Sequence, residues 1–213
     1  MALSSLTPSD RREGLSVRER EVLAGIHHAE RRCEWIAARR LAKALLNRGG
    51  LLDADDSTIS ILPDDDFETH RPRVWRGTAR LDGLDVSLAA ASGWVAAALA
   101  VEARVGIDLV APRETSADRL RPWLSDDERQ TLAAESLHPV ELWAMKEAAF
   151  KATSGEGDRF RPTELPVLCD RGWRCGGCAV LLVPLGRLTL ALATDDPQLF
   201  RDPQRLLFER RRV

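Results

Sequence analysis

The chain has 213 residues, of which 44% are hydrophobic and 30% charged, with a formal net charge of −2. That length can bury a sizeable core as one large domain or two small ones, and the composition excludes a disordered chain. The near-neutral charge argues against a nucleic-acid binder, and the longest apolar run, Trp94 to Val101, is far too short to cross a bilayer.

In chain order, Leu15-Ser-Val-Arg-Glu19 places Ser three residues before Glu, the capping-box signature of a helix start. Next, Trp35-Ile-Ala-Ala-Arg39-Arg-Leu-Ala-Lys43 sets Trp, Arg and Lys at intervals of four, along one helical stripe. Residues 49–75, rich in Asp, Pro and Gly, read as a loop or a poorly paired edge. Strand signals follow at 78–88, in the buried candidate 94–100, and in the β-branched run Val105-Gly-Ile-Asp-Leu-Val110. Leu124-Ser-Asp-Asp-Glu128 repeats the capping box, and Trp143-Ala-Met-Lys-Glu147-Ala-Ala-Phe-Lys151 repeats the spaced Trp, charged residue and Lys. Strands are expected at 165–169, 179–183 and 187–194, broken by glycine and proline turns. Cys175-Gly-Gly-Cys178 has redox or zinc spacing, but neither a second CxxC nor paired histidines accompany it, so it reads as a glycine turn. Arg210-Arg-Arg212 reads as a solvated tail.

Self-similarity at about half the chain length points to duplication rather than a solenoid, whose repeats run ~20–50 residues. The expected fold is therefore α+β. It comprises two pseudo-symmetric halves, 1–104 and 105–213, each with helices on a small antiparallel sheet and a cleft between them. A monomer is expected. The start, Met1-Ala-Leu-Ser-Ser, lacks the basic-then-apolar layout of a secretion signal, so a cytoplasmic location is expected, with cysteines as thiols.

The charged residues within this frame carry the chemistry. Lys and Arg together number 31, yet the lysines are only Lys43, Lys146 and Lys151. Lysine is a compact point charge suited to a single phosphate oxygen, whereas arginine is a flat fork. Asp108 interrupts an apolar strand, where a carboxylate is costly unless paired or metal-bound. Glu147 and Lys151 lie one turn apart beside Lys146, a spacing that a surface ion pair would also produce. Two carboxylates from separate elements, with two lysines, point to a hard cation and a polyphosphate. Mg²⁺ takes one or two carboxylates and fills its octahedron with phosphate and water oxygens.

Gly106-Ile-Asp108 followed by Trp143-Ala-Met-Lys146-Glu147-Ala-Ala-Phe-Lys151 resembles the paired signature of the 4′-phosphopantetheinyl transferase superfamily. The length and repeat resemble its larger, pseudo-dimeric surfactin-synthetase type. The resemblance implies transfer of the 4′-phosphopantetheine arm of coenzyme A to a serine of an apo acyl or peptidyl carrier protein. By motif match, Asp108 and Glu147 would hold Mg²⁺, Lys146 and Lys151 would neutralise the pyrophosphate, and Glu147 or a metal-bound water would take the serine proton. Arg31, Arg39 and Lys43 resemble the basic residues that meet the nucleotide 3′-phosphate, and would equally suit solvated positions on a helix.

Two departures from the family pattern stand out. Before Gly93-Trp94 the family has Ser-His-Ser, its histidine touching the 3′-phosphate of coenzyme A; here Ala89, Ala90 and Ala91 fill that stretch. Losing a charge-assisted contact costs about 1.5–3 kcal/mol, roughly tenfold to over a hundredfold in affinity. Larger members also read GID-x-E, with a further acidic metal ligand, where this chain has Val110. Two alternatives follow: an enzyme repurposed on the same fold, such as a cyclase, or a non-catalytic module that docks carrier proteins.

Overall fold

The computed structural model describes residues 14–52, 57–63, 71–112, 120, 124–153, 166–169, 172–202 and 205–213. The chain opens with two helices, α1 (Val17–Ala24) and α2 (Ala29–Arg48). Ser16 caps α1 by accepting from the Glu19 amide, and Glu19 returns the bond to the Ser16 amide. Five strands follow: β1 (Ile59–Leu62), β2 (Arg73–Arg76), β3 (Ala79–Arg80), β4 (Leu84–Ala91) and β5 (Trp94–Val101). Then come β6 (Val105–Val110), α3 (Asp126–Glu135) and α4 (Pro139–Thr153), α3 starting with the same reciprocal capping box at Ser125 and Glu128. The rest is β7 (Val167–Cys169), β8 (Gly172–Cys175), β9 (Cys178–Leu185), β10 (Leu188–Thr194) and β11 (Leu206–Arg212).

These strands form three antiparallel sheets, ordered β1-β2-β3, β11-β5-β4 and β6-β10-β9-β8-β7. The architecture is α+β. Alternation along the strands decides the layers. Val95, Ala97 and Leu99 of β5 pack under α2, while Ala96, Ala98 and Ala100 turn to the opposite cluster, which also holds Ile107, Leu190 and Leu192. On the far side, Ala191 and Ala193 of β10 join α4 in a third cluster. The order is helix, sheet, sheet, helix, with small alanines letting the central sheets approach. Among the described residues, no helix is long and apolar enough to cross a membrane.

Three expectations need correction. The stretch 49–75 contains β1 and all but the last residue of β2, whose Ile59, Ile61 and Val74 are buried. The run 78–88 is broken at Gly83, which turns with φ 75° between β3 and β4. The C-terminal arginines are part of β11, which pairs with β5. Arg210 lies over the Trp94 ring and donates to the Leu185 carbonyl. The Cys175-Gly-Gly-Cys178 motif is a two-residue hairpin turn. Gly176 and Gly177 both have positive φ, as a tight hairpin of this kind requires, and the two cysteines are buried opposite each other.

Candidate active site

Gly106 sets the geometry of the charged cluster. A Cβ at this position would overlap the Ala148 carbonyl oxygen and stand 2.7 Å from the Ala152 nitrogen, so the α4 backbone rests directly on β6. That close approach carries Glu147 and Lys151, one helical turn apart, over Asp108. Lys151 Nζ donates to Asp108 Oδ1 at 2.8 Å and to the Ile107 carbonyl at 3.0 Å, and lies 3.7 Å from Glu147 Oε2. The other Glu147 oxygen accepts from Trp143 Nε1 at 2.6 Å. Two carboxylates thus flank one ammonium. Asp108 is only 9% exposed, and burial pushes its carboxyl up to about 6; Lys151 pulls down and the Glu147 charge pushes further up. Among the described residues, no group of three or more His, Cys, Asp or Glu is arranged to hold a metal ion. Val110 is packed with Val140 and Val180 in the apolar cluster beneath α4.

The free edge of β6 is met by side chains of β4. The Val105 amide donates to Asp85 Oδ2 at 2.7 Å and the Ile107 amide to Ser87 Oγ at 3.0 Å. These bonds advance along both strands together, so β4 and β6 run parallel at the seam. Ala89 and Leu109 follow in the same register and share one buried cluster. Buried Arg71 forks onto Asp85 and also donates to the Lys151 carbonyl, tying the end of α4 to the seam.

A pocket of about 340 Å³ opens between α2 and the end of β4, lined among others by Arg31, Trp35, Arg39, Ala89 and Ala90. The Arg39 guanidinium stacks 3.9 Å from the Trp35 ring centroid. Its buried Nε has no hydrogen-bond partner among the described residues, and burial lowers its pKa to about 10 against the pull of Glu19. Arg31 is exposed. Two of the expected basic residues and the alanine stretch therefore meet in one pocket.

Lys43 and Lys146 are not brought to either place. Lys43, 1% exposed, donates to Glu19 and to the Gly14 carbonyl, both at 2.7 Å. Lys146, 3% exposed, pairs with Glu128. Each lysine thus binds the acid of a capping box and locks two helices together. The physical reason is burial. The carboxylate that satisfies a helix start also needs a counter-charge once a second helix covers it.

Sequence reasoning missed Arg71, Asp85, Ser87 and the Trp143 ring N–H. The alternation of Asp85 and Ser87 with Leu84, Val86 and Leu88 was the available signal: polar residues on one face of a strand need partners. Arg71 carried no local signal.

A family model described as the 4′-phosphopantetheinyl transferase superfamily matches residues 104–176, about a third of the chain. That stretch begins just before β6 and contains Asp108, Trp143, Glu147 and Lys151. No curated protein matches the chain.

Proposed function

We propose, from the match of residues 104–176 to the 4′-phosphopantetheinyl transferase superfamily, a Mg²⁺-dependent transfer of the 4′-phosphopantetheine arm from coenzyme A to a serine of an apo carrier protein. The observation that supports it most is the carboxylate, ammonium, carboxylate cluster of Asp108, Lys151 and Glu147. Two carboxylates on separate rigid elements, partly open to solvent, fit a hard cation that completes its shell with phosphate and water oxygens. Asp108 and Glu147 would hold it, and when bound it would offset charge on the pyrophosphate.

In the transfer, the serine oxygen bonds to the phosphorus that bears the pantetheine arm. The bond from that phosphorus to the leaving phosphate breaks, and adenosine 3′,5′-bisphosphate departs. Glu147, fixed by the Trp143 N–H through one oxygen, accepts the serine proton. The Lys151 ammonium faces the negative charge that spreads over the phosphate oxygens, and most of the rate enhancement comes from such positioning and charge stabilisation. Arg31 and Arg39 would meet the nucleotide end of coenzyme A, in a pocket that Ala89 and Ala90 leave apolar.

The same reading takes 1–104 and 105–213 as two copies of one unit in a cytoplasmic monomer. It is supported by the matching capping boxes and their lysine partners. Intact mass spectrometry of apo carrier protein incubated with this protein, coenzyme A and Mg²⁺ tests it: the carrier should gain the arm. No gain at high enzyme, with a carrier that a competent transferase modifies, would refute the proposal. The alanine-lined pocket favours a second reading, a repurposed enzyme on this fold. Failure to bind coenzyme A by calorimetry would move the balance to it.

A further inference from the structure

The three lysines of this chain occupy different environments. Lys43 and Lys146 are sealed between helices at 1% and 3% exposure, while Lys151 is 31% exposed. Its ammonium has three protons and three oxygens around it: Asp108 Oδ1, the Ile107 carbonyl and, more distantly, Glu147 Oε2. A divalent ion gripping both carboxylates would need the same space, and two cations a few ångströms apart in a partly buried site repel strongly. Glu147 has a second tie in the Trp143 N–H, and the backbone of Asp108 is held by the pairing of β6 with β10. With Val110 in the apolar cluster, no third acid among the described residues joins the pair to accommodate both cations.

We propose that Lys151 is the resident cation of this site, pre-aligning Asp108 and Glu147, and that a divalent ion binds only by displacing its ammonium toward solvent or onto a bound diphosphate. The inference rests on the reading that these two carboxylates hold the metal. Displacement has a consequence: metal alone binds weakly, and an anion that receives the released ammonium strengthens metal binding, as linkage requires in both directions.

The test is Mn²⁺ binding followed by electron paramagnetic resonance, without nucleotide and with coenzyme A. Without nucleotide, Lys151→Met should bind Mn²⁺ about tenfold or more tightly than wild type, and adding Asp108→Asn should remove the gain. Wild type should gain affinity on adding coenzyme A, and Lys151→Met should gain less. Should Lys151→Met bind no more tightly than wild type, while wild-type binding still depends on Asp108, the displacement is wrong and the metal site stands. Binding indifferent to Asp108→Asn would instead remove the metal site, and the displacement with it. A measurement on wild type guards against a variant that fails to fold. With only three lysines, the ¹⁵N ammonium signals separate readily, and Mg²⁺ plus coenzyme A should move that of Lys151 while Lys43 and Lys146 stay. An unmoved Lys151 signal in the metal-loaded protein overturns the proposal.

Discussion

The two helical hairpins share a lock and differ in what they present. In both, a capping-box glutamate is buried and bound by a lysine from the following helix, Glu19 by Lys43 and Glu128 by Lys146. In both, a tryptophan engages the residue four positions on. Trp35 carries a cation, Arg39, on its ring face; Trp143 directs its ring N–H at an anion, Glu147. The strands beneath differ as well. β6 supplies a glycine for close approach and Asp108, whereas β11, which pairs with β5 as β6 pairs with β10, supplies Leu207 and arginines. The buried lock sets the frame, and sign changes on the outer stripe separate an alanine-lined pocket from a charged cluster.

Removing the shared lock should have the largest effect. Glu19→Gln and Glu128→Gln each remove the counter-charge that faces a buried lysine, and each should cost about 3–5 kcal/mol of unfolding free energy in denaturant titrations. Loss from only one of them would show that the hairpins are not equivalent. A second experiment separates the helix ends from the strand seam. Gly106→Ala forces α4 off β6 and should cost about 1–3 kcal/mol. Gly25→Ala, at the end of α1 with its nearest contact at 3.5 Å, should stay within about 1 kcal/mol of wild type. The smallest effect concerns pH. Burial raises Asp108 from 3.8 to about 6, so the folded protein takes up a proton near pH 6 and the unfolded chain only near 4. Stability relative to Asp108→Asn, in chelator, should therefore rise as pH falls from 7 to 5, on the order of 1 kcal/mol or more. A fall over that range would mean that the Lys151 pairing outweighs burial.

Local rules made part of this legible. The capping boxes, the 105–110 strand and its out-of-place aspartate, the glycine hairpin and the α+β class follow from spacing and residue type within a few positions. Lys146 and Lys151 show the limit. Five residues apart on one helix, they face different directions, and only the packing of α3 against α4 assigns Lys146 to Glu128 and leaves Lys151 to Asp108. Lys43 and Lys151 share their spacing from a tryptophan but not their partners, since Lys43 binds a capping-box glutamate as Lys146 does.

By itself, then, the sequence determined the helix starts, the 94–100 and 105–110 strands and which acid stands where an unpaired charge is costly, because these depend on neighbours along the chain. The tertiary structure alone decided which cation each acid receives, that Arg71 bridges β4 to the end of α4, and that the C-terminal arginines complete a sheet begun more than a hundred residues earlier. Those outcomes depend on which surfaces close over one another, and closure is what turns an ordinary charge into one that must find a partner.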